Sequence, residues 1–220
     1  MKVIAKGNTA EILEYNENQI CKLFNPGYPK MYVEHEFDNA KKVCQLGIKT
    51  PRPFELICED GRDGIIYEKI IGKTLSSSAR NAREEELTAW IKAFAGIHKE
   101  LLSYHIDSVM DYKDFLKLFA EDSIELIRKI DALEDGDCLL HGDFHPANLM
   151  LNSDNQLVVI DMMNICKGPA IYDVARTYYL LGNDRKVQEQ YLNLMGYEAK
   201  DLNSYLEVIS LTRENELKEK

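Results

Sequence analysis

The sequence predicts an α+β protein in two lobes: a small β-rich N-terminal lobe with one helix, and a larger, mainly helical C-terminal lobe. Three observations predict it. Short apolar runs broken by turn residues fill the first 70 positions, helical periodicity dominates after about residue 84, and the Gly- and Ser-containing stretch IGKTLSSSARNAR (71–83) lies between them. The boundary is placed there, giving lobes over 1–70 and 71–220.

Within the first lobe, KVIA (2–5), AEILEY (10–15) and QICKLF (19–24) read as strands, the first two separated by Gly7-Asn8. Asn25-Pro26-Gly27 ends the third. From about Pro29 to Leu46 the period changes: Val33, Phe37, Ala40 and Cys44 share one helical face, and Gly47 supplies the stop. PFELIC (53–58) and GIIYEKI (64–70) add two strands, so the lobe reads β-β-β-α-β-β.

In the second lobe, residues 84–104 place Leu87, Ile91, Phe94, Ile97, His98 and Leu101 along one side of a helix. Residues 111–133 repeat the pattern as one further helix. CLLH (138–141), NLML (148–151) and LVVID (157–161) are strand-like. Three helical patterns then run to the charged end NELKEK.

Composition narrows the function classes. A hydrophobic share of 45% with 29% charged residues suits a globular chain and argues against disorder. The formal charge of −10 opposes general nucleic-acid binding, which needs clustered Lys and Arg. No apolar run approaches the roughly 20 residues that cross a bilayer, and the N-terminus turns polar after four residues, unlike a secretion signal. No membrane partner and a cytoplasmic location are therefore expected. Cys21, Cys44, Cys58, Cys138 and Cys166 are widely spread without a CxxC pair, and read as small buried thiols.

The segment LLHGDFHPANLML (139–151), followed by LVVIDMMN (157–164), carries the chemistry. Phosphoryl transfer from a nucleotide requires a carboxylate for the attacking hydroxyl, oxygen ligands for Mg²⁺, and a cation for the other phosphates. Asp143 and Asn148, five residues apart around Pro146, and Asp161 at the end of an apolar strand supply the first two. Lys22 is the candidate cation, because a lysine inside QICKLF is costly to bury without a partner. At about 100° per residue, Glu36 lies about 60° from the apolar face of the following helix and Glu34 about 100°, so Glu36 is the preferred partner.

With these residues in order, the chain resembles the aminoglycoside-phosphotransferase and choline-kinase-like family, a branch of the protein-kinase-like fold. The resemblance runs through GNTAEI, Lys22, a Glu-bearing helix, YEKIIGKTL, HGDFHPANLM and IDMMN. It implies a two-lobed kinase with the nucleotide, ATP or GTP, in the cleft between lobes, and a small-molecule acceptor such as an aminoglycoside, amino sugar or amino alcohol. It implies Asp143 as catalytic base, and Asn148 and Asp161 as Mg²⁺ ligands. Lys22 would meet the phosphates with Glu36 holding it, and Gly7, Asn8 and Thr9 would cover them. Backbone near Glu68, Lys69 and Ile70 would meet the nucleobase, and Asp173 would support the catalytic loop. The loop GNTAE has one glycine where the family has several, Met162 stands where an aromatic residue is common, and the acceptor region is short. Gly142 replaces the arginine of protein kinases, and the stretch from Asp161 to Asp173 is too short for a peptide-docking segment, which favours a small-molecule kinase.

Two other readings stay open. His141, Asp143 and His145 alternate as HxDxH, which in an extended strand would suit a metal-dependent hydrolase. A catalytically silent nucleotide-binding pseudokinase or interaction protein shares every binding feature but transfers nothing. In the kinase reading His141 braces the loop and His145 packs beside it, while His35, His98 and His105 are surface or packing residues.

Overall fold

The structure, a computed structural model, describes residues 1–79 and 82–218. Arg80 and Asn81, inside the expected boundary stretch, and the last two residues of NELKEK lie outside the described residues. In chain order the elements are β1 (Lys2–Lys6), β2 (Ala10–Glu14), β3 (Gln19–Phe24), α1 (Lys30–Gln45), β4 (Pro53–Glu59), β5 (Arg62–Glu68), β6 (Gly72–Thr74), α2 (Leu75–Ala79) and α3 (Glu84–Leu102). They continue as α4 (Tyr112–Lys117), α5 (Ile124–Asp131), β7 (Cys138–Leu140), β8 (Leu149–Asn152), β9 (Leu157–Val159), β10 (Cys166–Gly168), α6 (Ala170–Leu180), α7 (Arg185–Met195) and α8 (Asn203–Lys218).

The chain folds as two compact units. The first is Met1–Thr74 with Leu149–Met163; the second is Leu75–Asn148 with the described residues 164–218. This differs from a single cut at 70/71. The reason is β6, too short to announce itself by periodicity, which pairs with β8 and so draws β8 and β9 into the first unit. Gly72 permits that pairing: a Cβ there would lie 2.1 Å from the Leu151 carbonyl oxygen.

In the first unit an antiparallel sheet of order β1-β2-β3-β5-β4 carries α1. Strand alternation sets the faces. Leu13, Cys21, Leu23 and Ile66 form one apolar cluster, while Lys22, one residue out of step with Cys21 and Leu23, faces the other way, as does Tyr67, whose cross-strand partner is Ile20. On α1 the buried residues are Val33, Glu36, Phe37, Asn39, Ala40 and Val43. Glu36 thus lies inside the packed stripe, and Cys44 at its margin.

The second unit is helical, with a two-stranded ribbon of β7 and β10. The single helix expected over 111–133 is two, α4 and α5. Glu121 and Asp122 adopt left-handed backbone (φ 47° and 58°), which a right-handed helix cannot contain, and Ser123 then caps α5 by accepting from the Leu126 amide. The core gathers Phe94 and His98 of α3, Tyr172 of α6 and Tyr191 of α7. The thiols are less buried than expected: Cys21 and Cys166 are buried, Cys44 and Cys138 half-buried, and Cys58 exposed, because Cys58 sits on β4 at the sheet edge. Among the described residues no helix is long and apolar enough to cross a membrane.

Candidate active site

In the first unit Lys22 of β3 places its ammonium 2.8 Å from both carboxylate oxygens of Glu36 and 2.9 Å from Asp161 Oδ1. The Tyr67 hydroxyl donates to Glu36 at 3.1 Å. Glu36 is 1% exposed, which makes the lysine its necessary counter-charge. Burial disfavours the charged ammonium, but the Asp161 and Glu36 carboxylates outweigh it and hold Lys22 well above the ordinary lysine range. Burial also pushes the Glu36 carboxyl up, against the pull of Lys22. One cation thus serves two carboxylates.

Asp161 follows β9 rather than ending it. Its backbone is left-handed, with φ 68°, a conformation that costs energy in any residue but glycine, though Asp tolerates it better than most. That turn stops the strand at Val159 and leaves the carboxylate 41% exposed. The segment behind it is tied down by Asn39 of α1, buried, whose amide donates to the Met162 carbonyl at 3.2 Å. Nothing in the sequence pattern singled out Asn39, although a polar residue on the buried stripe of α1 was a readable anomaly.

Gly7, Asn8 and Thr9 form the connection between β1 and β2, with Gly7 and Asn8 exposed. Asn25, at the end of β3, pins that turn by donating to the carbonyls of Asn8 and Thr9, each at 2.8 Å. Around the β5 exit, the Glu68 amide donates to Arg52 and the Lys69 amide to Asn18, while no backbone hydrogen bond involves Ile70 among the described residues. A depression of about 650 Å³ lined by Asn16, Asn18, Gln19, Arg52, Phe54 and Glu68 contains none of Lys22, Glu36 or Asp161.

The second unit holds the loop that follows β7. Asp173, fully buried on α6, accepts the backbone N–H of His141 at 2.8 Å through Oδ2 and that of Gly142 at 2.9 Å through Oδ1. His98 Nε2 donates to the same carboxylate at 3.0 Å, and its Nδ1 lies 2.7 Å from the Tyr191 hydroxyl. Burial alone would raise the Asp173 carboxyl, but the bond from His98 and the neighbouring histidines hold it below its ordinary value. The ring of His98 stacks on Phe144, centroids 4.1 Å apart, and the Phe144 carbonyl accepts from Thr177 Oγ1 at 3.0 Å. The loop is therefore fixed at its backbone on both sides of Asp143.

Gly142 is obligatory in this loop. Its φ is +72°, and a Cβ would stand 2.3 Å from the Asn164 carbonyl oxygen, so no side chain of any kind fits there.

Asp143 itself is held by its neighbours. Asn148, which closes the 3-10 turn Pro146–Asn148, donates its amide to the Asp143 carbonyl at 2.9 Å and to Asp143 Oδ2 at 3.3 Å. His145 Nε2 lies 3.4 Å from Oδ2, so this histidine contacts the carboxylate rather than merely packing. His141 Nδ1 accepts from the Asp143 amide at 3.3 Å. Burial pushes the Asp143 carboxyl up, but His145, Arg176 and Arg213 outweigh it and hold it far below the usual carboxylate range. Arg176 and Arg213 were not singled out in the sequence.

The donor sets bear on which group each could hold. Asn148 turns its amide nitrogen to Asp143, so its oxygen is the atom on offer; Asp161 offers a partly exposed carboxylate. Hard oxygens of this kind fit Mg²⁺. His141, Asp143 and His145 do not converge as a metal triplet. Among the described residues the grouping with that geometry is His105, Asp137 and Cys138. The alternation expected to align HxDxH requires a strand, and β7 ends at Leu140, before it begins.

A family model described as the phosphotransferase enzyme family matches residues 4–203. No curated protein sequence matches this one. Among solved structures, an aminoglycoside-3'-phosphotransferase of type VIII is similar with a TM-score of 0.70 at 16% identity, covering 96% of this chain and 92% of that one. Aminoglycoside phosphotransferase APH(3'')-Id from Streptomyces rimosus gives 0.68 at 15%, covering 96% and 92%. A thermostable mutant of aminoglycoside phosphotransferase APH(4)-Ia gives 0.69 at 14%, covering 98% and 86%. At these identities the likeness speaks for a shared kinase-like fold.

Proposed function

Because this chain belongs to the phosphotransferase enzyme family, we propose that it is a small-molecule kinase moving the terminal phosphoryl group of ATP or GTP to a hydroxyl of a small acceptor. The observation that carries this reading is the state of Asp143: a carboxylate fixed in one place, kept ionised, with Oδ2 contacted by the Asn148 amide at 3.3 Å.

Each residue then has a task. Asp143 orients the acceptor hydroxyl and receives its proton. A carboxylate held below its ordinary value stays ionised, and a loose transition state asks it chiefly to position the hydroxyl. Lys22, braced by Glu36, steadies the non-transferred phosphates. Asn148 and Asp161 are the oxygen ligands proposed for Mg²⁺, which when bound neutralises phosphate charge. Gly7, Asn8 and Thr9 cover the phosphates, and backbone at Glu68 and Ile70 reads the nucleobase. Among the described residues Ile70 has no backbone partner, which supports its part in that assignment, while the Glu68 amide already donates to the Arg52 carbonyl. The first unit is on this reading the nucleotide-binding part, and the second carries the base and the acceptor site.

The nucleotide is supported by a relative in this fold, an APH(4)-Ia mutant described in a ternary complex with ADP and hygromycin B. For this chain the acceptor is assigned by class only, as a hydroxyl compound of aminoglycoside, amino sugar or amino alcohol type. The competing reading, a silent nucleotide-binding protein, shares Lys22 and Glu36 but has no use for an ionised, fixed Asp143. A coupled ADP- or GDP-release assay with Mg²⁺ across aminoglycosides, choline, sugars and nucleosides separates the two. Release that depends on one acceptor supports the kinase; nucleotide binding without release from any acceptor favours the silent reading.

A further inference from the structure

We propose that Arg213 and Glu216, on the last helix, are positioning residues for Asp143, and that α8 thereby completes the catalytic base. The inference rests on the reading of Asp143 as base and assigns the C-terminal helix a part in the same site.

The two oxygens of Asp143 have different surroundings. Oδ2 is contacted by Asn148 and His145. Oδ1 is buried and, among the described residues, has no hydrogen-bond partner. What faces it is a pair of guanidinium groups: Nη2 of Arg176 and Nη2 of Arg213, each at 3.9 Å. That distance is too long for a hydrogen bond but short for two charges. The arginines thus orient the carboxylate by its charge without occupying a lone pair. A bidentate arginine at 2.9 Å would instead tie up the atoms that must receive a proton.

Glu216 sets this geometry. Its Oε2 lies 3.0 Å from Arg176 Nη2 and its Oε1 lies 2.6 Å from Arg213 Nη1. Glu216 is 3% exposed and Arg176 1% exposed. Two cations and two anions form a quartet with no net charge. Apolar residues at the same α6–α8 contact would hold the helices together about as well, since a buried ion network seldom adds stability over good packing. The quartet is accounted for by what it does to Asp143.

 

Arg176 lies on α6 three residues after Asp173, so one helix supplies both the loop brace and one half of the charge pair, and α8 supplies the other half.

The test uses the full chain, the acceptor that gives turnover in the panel above, and Arg213→Met, Arg213→Lys and Glu216→Gln, each made alone and with Asp143→Asn. Arg213→Met is expected to lower kcat by ~10–100-fold, the size of effect that a misplaced catalytic group produces, while the nucleotide KM stays within about two-fold. Arg213→Lys should recover most of the loss. On the Asp143→Asn background neither Arg213→Met nor Glu216→Gln should cost anything further, because the group they position is gone. An unchanged kcat, or the same loss on both backgrounds, overturns the proposal. A crystal structure of Arg213→Met or Arg213→Lys provides a readout without turnover: a displaced Asp143 side chain in the methionine variant supports positioning, and an unmoved one contradicts it. Should Arg213→Met not fold, Glu216→Gln and Arg213→Lys carry the same comparison. Full turnover by Asp143→Asn itself would instead remove the base assignment, a separate failure.

Discussion

Lys22 meets Glu36 through two contacts of 2.8 Å, one to each carboxylate oxygen, across the interface between β3 and α1. Glu36 is not tolerable there alone: a buried glutamate without its cation leaves an uncompensated charge, whereas Lys22 without Glu36 still has the Asp161 carboxylate at 2.9 Å. The pair is what allows a cation to stand inside an apolar strand of the first unit.

Glu36→Gln should therefore destabilise the fold by about 3 kcal/mol, the usual cost of breaking a buried pair. It should also weaken nucleotide-dependent turnover, since Lys22 is left with Asp161. Denaturant unfolding and steady-state kinetics on the same variant check both effects.

Lys22→Met preserves the length of the side chain and removes its charge. On the proposed role it lowers kcat by about 10²–10³-fold, the magnitude seen when one preorganised electrostatic contact is lost. Turnover at the wild-type rate in a folded Lys22→Met variant would remove the lysine from the phosphate site.

Asp173→Asn replaces an acceptor of three N–H donors with a group that brings donors of its own. At least one of His141 N–H, Gly142 N–H and His98 Nε2–H then loses its partner, at about 1–3 kcal/mol. The pH dependence has a definite sign. The Asp173 carboxyl sits below its unfolded value of about 3.9, so its contribution is complete above that pH and is lost as pH falls through the folded value. The stability gap between wild type and Asp173→Asn should be constant near neutrality and close below about pH 4. Urea unfolding at a series of pH values measures it.

Gly142→Ala should fail outright as an active protein. The left-handed backbone costs about 1–2 kcal/mol for a residue with a Cβ, and the clash with the Asn164 carbonyl comes on top of it. Purified Gly142→Ala with wild-type melting temperature and turnover would contradict the account of this loop.

Much of the fold was legible because its signals are local. The alternation in QICKLF, the turn at Asn25-Pro26-Gly27 and the helical stripe of α1 each report on a few adjacent residues, and Glu36 could be preferred over Glu34 from the wheel alone. Three-residue strands such as β6 and β10 carry no period, so the union of β8 and β9 with the first unit was hidden. The break between α4 and α5 depends on two left-handed residues, Glu121 and Asp122, that have no glycine to mark them.

The candidate residues were legible where chemistry and spacing coincide, at Asp143 and Asn148, which the structure holds together in one unit, and at Asp161 in the other. Their supports were less so, because they come from distant parts of the chain. His98 looked like an ordinary member of an apolar face. Glu216 was read as part of a charged tail, yet Tyr205, Val208, Ile209 and Thr212 are buried at helical spacing and Glu216 continues their stripe. That continuation was the available signal. Arg213 lies beside the stripe, and its pairing with Asp143 exists only in the folded chain.

The most direct test of the central claim is acceptor-dependent nucleotide turnover by wild type and Asp143→Asn, measured alongside nucleotide binding. The account predicts that Asp143→Asn binds ADP with Mg²⁺ about as well as wild type and loses turnover by about 10²–10⁴-fold, the share a positioned general base contributes. Turnover by Asp143→Asn within a few-fold of wild type would contradict it.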